Sequence, residues 1–406
     1  MGWVTPDAPS AAELDACVTC GLCLPHCPTF RLTGDEAASP RGRLAAMAAV
    51  GGGVAEVDET FEAILDACLQ CRACETACPS LVPFGRAMEG ARIEITAQRP
   101  TLARRLRHLA VGRLVANRWL MRLATTLVAL LQRIGIQRLR WGPLRPLAGM
   151  RRLPLPTETA IGIRRLPEAS PRASAAVLAG CVMDPWFQGV HQATIGLLVS
   201  AGYAVEVPGE QTCCGALAAH DGDGRDTKRL AQRNSAAFAD FDLVVADAAG
   251  CSAHLKEYDN WVEGGAGLSS RVRDVTEVVA DELAAGRLPV LRPGKGAVAV
   301  QDPCHLRHAQ RIVDQPRAVL IAAGYTPVDV DPGGMCCGAA GVYSLLYPET
   351  SNELGRRKAA EVAETGTSLV ASANPGCEMQ LRRHLGPAVR VAHPVELYWE
   401  ALEQEP

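Results

Sequence analysis

Eight cysteines in the N-terminal fifth of the chain occur as two copies of the spacing C-x2-C-x2-C-x3-C-P. Three thiolates at this spacing can bind three corners of a cubane iron–sulfur cluster, and the fourth, turned away by the proline, binds the neighbouring cluster. The spacing therefore predicts two [4Fe-4S] clusters that exchange their fourth ligands. We assign Cys17, Cys20, Cys23 and Cys78 to site 1, and Cys68, Cys71, Cys74 and Cys27 to site 2.

Zinc binding and disulfide bonding account less well for these eight cysteines. A zinc site normally uses two C-x2-C pairs, or cysteine and histidine at looser spacing, and would leave half of the cysteines unused. C-x2-C pairs are poor structural bridges, and the first residues show no basic and apolar regions typical of a secretory leader. We therefore expect the 16 cysteines to be reduced thiols in a reducing compartment.

A second cysteine pattern is repeated in the C-terminal half. Each copy has one cysteine, then Cys-Cys-Gly, then Gly-Cys, and such self-similarity predicts a duplicated unit. Buried inert thiols are the alternative, since free cysteine is often a core residue. The adjacent pairs argue against it, because consecutive side chains point apart and are rarely both core. The candidate metal ligands are Cys181, Cys213, Cys214 and Cys251 (site 3), and Cys304, Cys336, Cys337 and Cys377 (site 4).

Short apolar strands are predicted to position these cysteines. Helical patterns separate the strands, and this alternation indicates parallel sheets. The cysteines follow the carboxyl ends of strands, where open α/β sheets bind their ligands, so the four of each half are expected to converge. The predicted strands cover residues 176–179, 203–207, 243–246, 297–300, 327–330 and 369–373.

Length and composition indicate a multidomain α+β protein. A chain of 406 residues with 48% hydrophobic residues can form two or three cores, and its net charge of -3 argues against a nucleic-acid partner. We predict a mainly helical ferredoxin-type 2x[4Fe-4S] domain over residues 1–98 and a basic helical connector with a proline-rich linker over 99–171. Two duplicated α/β cysteine-rich domains with short parallel sheets are predicted over 172–290 and 291–406.

The predicted connector has an unusual charge pattern. Residues 101–157 contain many arginines and no acidic residue, with leucines and tryptophan interleaved at helical spacing. This amphipathic segment can pack its apolar face on the protein, dock a partner subunit, or lie on an anionic membrane surface. No stretch has the roughly twenty apolar residues of a membrane-spanning helix. The prolines that indicate the linker are Pro143, Pro146, Pro154, Pro156 and Pro167.

The duplicated Cys-Cys-Gly unit resembles a known cysteine-rich domain. It is shared by heterodisulfide reductase subunits and by the iron–sulfur subunits of anaerobic glycerol-3-phosphate dehydrogenase and of glycolate oxidase. The glycolate oxidase subunit is much the closest, over nearly the whole chain. The residues that carry this resemblance are Pro28-Thr29-Phe30, Gly34-Asp35-Glu36, Pro40-Arg41-Gly42-Arg43, Ala249-Gly250-Cys251, Lys256-Glu257-Tyr258, Pro303 to Gln310, and Cys336-Cys337-Gly338 through Gly341 and Tyr343.

The resemblance implies a subunit of a membrane-associated glycolate dehydrogenase, an oxidoreductase of glyoxylate metabolism whose acceptor is neither NAD nor oxygen. It implies FAD-containing partner subunits that oxidise glycolate, and a quinone or other membrane acceptor. We find no G-x-G-x-x-G after a strand and no P-loop, so FAD is expected on the partners. The expected location is cytoplasmic, peripheral on the inner face of the membrane. One or two further iron–sulfur clusters are expected in the cysteine-rich domains.

Other functions compatible with these motifs remain open. The chain can serve a dehydrogenase for lactate, another 2-hydroxy acid or glycerol 3-phosphate, or act as a heterodisulfide-reductase-like subunit. A non-catalytic redox sensor is a further alternative, although no nucleic-acid-binding motif accompanies the clusters. The resemblance implies that another subunit selects the substrate.

One departure from heterodisulfide reductase concerns the last cysteine of each unit. There it belongs to a C-x2-C pair, whereas here Cys251 is followed three residues later by His254, and Cys377 by Gln380. Four cysteines per half suit a four-thiolate cluster and argue against the noncubane cluster and disulfide reduction. His254 is either a ligand or a hydrogen-bond partner. We expect surface positions for His305 and His308, and for Arg31, Arg41 and Arg43.

Overall fold

The computed structural model describes residues 2–135, 153–156 and 158–405. Its N-terminal part is helical, its C-terminal part carries two short sheets flanked by helices, and a bent pair of helices joins them. This architecture confirms the predicted α+β multidomain fold. The predicted linker prolines Pro143 and Pro146 lie outside the described residues.

Six helices form the N-terminal region, and capping side chains mark the starts of three of them. Ser10 and Glu13 form a capping box on the first helix, Ser39 caps the third, and Asp58 caps the fourth. The helices are α1 (Ala11–Asp15), α2 (Pro28–Thr33), α3 (Pro40–Gly51), α4 (Glu59–Asp66), α5 (Ala73–Thr76) and α6 (Phe84–Gln98). The first cysteine run lies between α1 and α2, and the second begins after α4 and includes Cys74 of α5.

The core of this region directly supports the cysteine loops. Met47, Leu65 and Met88 are fully buried, and Cys68 and Cys74 belong to the same packed group of side chains. Apolar burial of this kind contributes about 25 cal/mol per Å² removed from water. The loops are therefore held by helix packing on one side.

A bent helical segment, which we call the elbow (residues 102–133), follows the N-terminal region. It consists of α7 (Leu102–His108), a π-helical turn (Leu109–Val115) and α8 (Arg118–Arg133), with a bend of 96° at the break. Of the three alternatives for the apolar face of this segment, packing on the protein does not describe α8. Met121, Thr125 and Ala129 face the protein, whereas Leu123 is 66% exposed.

The first cysteine-rich domain has a five-stranded sheet in the order β1-β3-β2-β4-β5. All neighbours pair in parallel except β1 and β3, which are antiparallel. The strands are β1 (Arg164–Arg165), β2 (Ala173–Leu178), β3 (Tyr203–Glu206), β4 (Leu243–Ala246) and β5 (Val272–Asp274). The helices are α9 (Met183–Trp186), α10 (Gln188–Ser200), α11 (Ala216–His220), α12 (Gly224–Ala237), α13 (Ala249–Leu255), α14 (Gly265–Ser269) and α15 (Val275–Ala284).

The second cysteine-rich domain has a four-stranded parallel sheet in the order β7-β6-β8-β9. The strands are β6 (Ala297–Val300), β7 (Thr326–Asp329), β8 (Leu369–Ala371) and β9 (Arg390–Ala392). The helices are α16 (Asp314–Ala322), α17 (Tyr343–Leu346), α18 (Pro348–Glu364), α19 (Pro375–His384) and α20 (Pro394–Glu403). Each predicted strand has a counterpart in the structure. Strands β1, β5 and β9 were not predicted, because they are two or three residues long and too short to show a strand period.

The two cysteine-rich domains share one hydrophobic core. Val319 of α16 and Tyr398 of α20 pack in the same buried group as Leu197 of α10. Gly196 makes this approach possible, because a Cβ at that position would overlap the ring of Trp399. The domains are therefore packed against each other through helices α10, α16 and α20.

Candidate metal centres

The loops of sites 1 and 2 have the same unusual backbone. Thr19 and Gln70, at equivalent positions, have φ values of 55° and 51°, and Gly21 and Arg72 have φ values of 83° and 62°. A left-handed residue other than glycine costs about 1 kcal/mol, so the surrounding structure must hold both loops in this backbone conformation. In the second loop, this conformation turns the Gln70 N–H toward the sulfur of Cys68, at 3.3 Å.

Two cavities lie inside these loops, and the predicted ligands divide between them. The first encloses about 430 Å³, including its open mouth, and the second about 300 Å³. Cys78 lines the first cavity although it belongs to the second run, and Cys27 lines the second cavity although it belongs to the first run. Cys74 lies between the cavities and lines both. The other lining cysteines are Cys17, Cys20 and Cys23 in the first cavity, and Cys68 and Cys71 in the second.

The chemistry of the buried thiols fits an iron–sulfur group. Burial and neighbouring Cys71 raise the pKa of Cys74 well above its usual value, and burial with Cys304 nearby does the same for Cys71. Thiolates can be stable there only beside strong positive charge, which bound iron supplies. Among the described residues, no three His, Cys, Asp or Glu side chains are placed to hold a single metal ion.

Arg43 is buried beside site 2, contrary to the expected surface position. It is 1% exposed and donates to the carbonyls of Ala38 at 2.7 Å and Ile64 at 2.9 Å, with Nη1 3.9 Å from the sulfur of Cys27. Its place between Pro40 and Met47 on the buried side of α3 was a sequence signal for this position. Arg31 is exposed, as expected, and Arg41 pairs with Glu36 at 2.6 Å near the surface.

Site 3 forms where predicted, at the carboxyl ends of strands. Cys181 follows β2, Cys251 lies in α13 after β4, and the sulfurs of Cys214 and Cys251 are 3.2 Å apart. Hydrogen bonds with Cys181 and Cys214 lower the pKa of Cys213, while hydrogen bonds with Cys213 and Cys251 raise the pKa of Cys214. All four predicted cysteines are thus in one connected group.

The loop of site 3 is fixed by polar groups around it. Gln211 accepts from the N–H of Ala179 at 2.7 Å and donates to the carbonyl of Val177 at 3.0 Å, which ties the loop to β2. The Tyr258 hydroxyl donates to the carbonyl of Cys214 at 2.6 Å. Such supporting contacts hold metal ligands in fixed orientations.

Site 4 repeats this arrangement in the second domain. Cys336 hydrogen bonds with Cys304 and Cys337, and Cys377 with Cys337, so the four sulfurs again form one connected group. The N–H of Gly338 points at the sulfur of Cys336, at 3.4 Å, and Asn374 donates to that of Cys377, at 3.4 Å. Hydrogen bonds of this kind stabilise a thiolate.

The sites lie next to one another in the order 1, 2, 4, 3. Sites 1 and 2 are adjacent because Cys74, a predicted ligand of site 2, lines both cavities. Sites 2 and 4 are adjacent because Cys71 of site 2 packs in the same buried group as Cys336 and Cys304 of site 4. Sites 4 and 3 are joined by Asn374, which contacts Cys377 and accepts from the N–H of Gly250 at 3.2 Å.

Histidines occupy the junction of these sites, and the predicted surface positions of two of them are wrong. His308 is 5% exposed and contacts Thr76 at 3.1 Å, and His305 lies half-buried 3.5 Å from the sulfur of Cys304. His220, which sequence reasoning missed, joins His305 at 3.2 Å and Glu89 at 3.1 Å. Their burial follows from domain packing, which leaves no periodic signal in the sequence.

Comparison with known proteins agrees with this architecture. Residues 13–82 match the 4Fe-4S dicluster domain, and residues 175–256 and 298–382 match the cysteine-rich domain. The probable glycolate oxidase iron–sulfur subunit of Bacillus subtilis is 36% identical, with 96% of this chain and 94% of that protein aligned. The glycolate oxidase iron–sulfur subunit of Escherichia coli is 32% identical over 97% of this chain and 95% of that protein. Lactate utilization protein A of Oceanobacillus iheyensis is 28% identical over 53% of this chain and 93% of that protein.

The exchange of fourth ligands between sites 1 and 2 is testable by alanine substitution. We expect Cys20→Ala and Cys71→Ala each to remove one of the two N-terminal clusters, so that the difference from the wild-type spectrum defines the EPR signal of the missing cluster. We expect Cys78→Ala to reproduce the spectrum of Cys20→Ala, and Cys27→Ala that of Cys71→Ala, because each fourth cysteine lines the other run's cavity. The opposite correspondence would show that each run binds its own cluster.

Proposed function

The chain belongs to the family of glycolate oxidase iron–sulfur subunits, and we propose that it carries electrons from a flavoprotein partner that oxidises glycolate to glyoxylate toward a membrane quinone. The observation that supports this role best is the contiguity of the four cysteine sites. When bound, iron–sulfur clusters accept and release single electrons, whereas FAD takes up two in substrate oxidation. An unbroken series of such sites suits a subunit that connects the two kinds of carrier.

The residues of this chain would define the two ends of the series. Cys20 of site 1 is exposed, and Val18 and Leu22 beside it are 67% and 57% exposed. This apolar rim is our proposed docking place for the FAD-containing subunit. Cys213 and Cys214 of site 3, at the other end, are buried. We assign the flavin to the partner because this sequence has neither a G-x-G-x-x-G motif after a strand nor a P-loop.

A subunit of a lactate dehydrogenase is the second candidate. Its support is the similarity to lactate utilization protein A, which extends over 53% of this chain. The similarity to glycolate oxidase subunits covers nearly the whole chain and therefore favours glycolate.

Substrate addition to the intact complex distinguishes the two candidates. We expect glycolate to produce reduced-cluster EPR signals in the anaerobic complex purified through a tag on this chain, because the flavoprotein would deliver electrons to site 1. L-lactate, D-lactate and glycerol 3-phosphate serve as parallel additions. Signals with lactate and not with glycolate would support the second candidate, and signals with dithionite alone would contradict both.

We also propose that the elbow contacts a membrane surface. In the described part of the chain, no single helix has the length and apolar character to cross a bilayer, and only the bent pair formed by residues 102–115 and 118–133 meets these criteria jointly. On α8, the leucines lie opposite Met121, Thr125 and Ala129, which face the protein. The large apolar side chains exposed on the elbow are Leu102, Leu106, Leu109, Leu114, Trp119, Leu120, Leu123, Leu127 and Leu130.

The charge of the segment supports an anionic lipid surface as the surface that the elbow contacts. Residues 101–157 have no acidic side chain, and Arg105, Arg118 and Arg133 are exposed on the elbow. The guanidinium of Arg118 lies 5.5 Å from the ring centre of Trp119, which places an aromatic ring beside a cation as in interfacial anchors. A helix with leucine, tryptophan and arginine in this arrangement lies in the plane of an anionic interface.

Vesicle binding tests this contact. We expect the protein to float with phosphatidylglycerol–phosphatidylcholine vesicles and to bind pure phosphatidylcholine vesicles more weakly. The triple variant Trp119→Ser, Leu123→Ser, Leu127→Ser should bind at least about tenfold less tightly, since each fully buried large apolar side chain contributes about 1.5–3 kcal/mol.

Three side chains elsewhere provide the matched control. Leu166, Val290 and Ile321 are 73%, 69% and 57% exposed, close to the 69%, 66% and 57% of the elbow residues Trp119, Leu123 and Leu127. Their replacement by serine should leave vesicle binding unchanged. Two results would contradict the proposed contact: an equal loss of vesicle binding in both triple variants, or wild-type binding that is equally tight with and without phosphatidylglycerol.

A further inference from the structure

A buried imidazole beside site 3 has a nitrogen without a hydrogen-bond partner. His254 is 3% exposed, and its Nε2 has no partner among the described residues. The ring is held by Tyr258, whose ring centre is 5.6 Å away in an edge-on arrangement, and by Trp261 at 5.8 Å. A buried polar atom left unpaired costs about 1–3 kcal/mol, so this position calls for a partner that the polypeptide does not supply.

The position of Nε2 indicates what that partner is. His254 lies three residues after Cys251 on α13, and side chains at this spacing share one face of a helix. Nε2 lies 3.4 Å from the point where a Cβ on Gly215 would stand. Gly215 directly follows Cys214, has a φ of 95°, and its N–H hydrogen bonds with Cys213. The free nitrogen is therefore at the Cys-Cys-Gly loop of site 3.

The duplicated half provides an internal comparison. Gln380 stands three residues after Cys377 on α19, at the position equivalent to His254. Its Nε2 donates to the carbonyl of Ser351 at 2.8 Å and to the Ser351 hydroxyl at 3.2 Å. The side chain at this position is thus satisfied by the protein in site 4 and left with a free nitrogen in site 3.

We propose that Nε2 of His254 is an iron ligand in site 3, whereas site 4 is bound by thiolates alone. The inference rests on the proposed iron–sulfur occupancy of site 3. The Nε2 lone pair forms the bond to iron, the ring proton stays on Nδ1, and no electron is transferred in the step. Burial lowers the pKa of His254 to about 4, so the ring is neutral and its lone pair is available at neutral pH. A cubane cluster has one terminal ligand position on each of its four irons, so His254 takes one position and three of the cysteines Cys181, Cys213, Cys214 and Cys251 take the others.

Nitrogen ligation would make the two cysteine-rich sites electronically different. A neutral imidazole adds no negative charge, and histidine ligation is associated with higher reduction potentials than ligation by thiolates alone. Site 3 is then expected to have a higher potential than site 4, which contacts site 2 through Cys71. An electron passing from site 4 to site 3 would then move to the site of higher potential.

Pulsed EPR with labelled histidine tests the ligand directly. In the anaerobically purified full-length protein, we expect one reduced cluster to show a strongly coupled nitrogen whose signal changes when histidine is labelled with ¹⁵N. His254→Gln, which installs the residue of the equivalent position in site 4, should abolish this coupling and lower the midpoint potential of that cluster. His305→Gln, which alters the histidine next to Cys304, should leave the coupling intact.

The outcomes separate this inference from the occupancy on which it rests. Only weak histidine coupling in the wild-type protein would identify His254 as a hydrogen-bond partner and overturn the ligand assignment, and this measurement needs no variant to fold. The double variant Cys213→Ala, Cys214→Ala removes at least one thiolate ligand of site 3 and should lose iron. If this variant has the iron content and EPR spectrum of the wild type, site 3 holds no cluster and both the occupancy and the ligand assignment fail.

Discussion

The crowding of sulfur in the protein interior is the constraint on which the rest of the structure depends. Fifteen of the sixteen cysteines are buried or half-buried, and in each site the sulfurs are grouped around one cavity or in mutual contact. Ionised thiols at such distances repel each other, and burial removes the water that would stabilise them. A positively charged inorganic core would resolve this conflict, because it would bind the thiolates and neutralise them together.

The backbone of each site is shaped by the same requirement. In sites 1 and 2, left-handed residues at matching positions bend the loop around its cavity. In sites 3 and 4, Gly215 and Gly338 adopt φ values of 95° and 86° directly after the paired cysteines. Two unrelated folds thus use the same local solution, a tight turn that leaves backbone N–H groups directed at sulfur. The parallel sheets add a further element, since the carboxyl ends of their strands bring distant cysteines together.

Packing between the domains converts separate sites into a series. Arg72 in the loop of site 2 pairs with Glu257 of the first cysteine-rich domain at 2.6 Å, and Arg92 of α6 donates to the carbonyl of His220 at 2.5 Å. The interface also buries the chain Glu89, His220 and His305. Burial lowers the pKa of His220 well below its usual value, so this imidazole is neutral within the interface.

Much of this arrangement was predictable, because cysteine spacing and strand composition are local signals. The repeated spacing indicated two clusters, and the apolar runs indicated the strands that carry Cys181, Cys251, Cys304 and Cys377. The meeting of His220 with His305 was not predicted, since it depends on contacts between residues far apart in the chain. The burial of Arg43 was missed although its place on the apolar side of α3 indicated it. Whether the protein covers Leu123 and Leu127 was left open by the sequence, because periodicity shows that a helix has an apolar face and not what covers it.

An anaerobic crystal structure with iron anomalous scattering would test the central claim most directly. The account predicts anomalous density at all four cysteine sites, with Cys78 bound to the iron of site 1, Cys27 bound to that of site 2, and sites 2 and 4 adjacent. Density confined to sites 1 and 2, or disulfides among the cysteines of sites 3 and 4, would contradict the proposed continuous series.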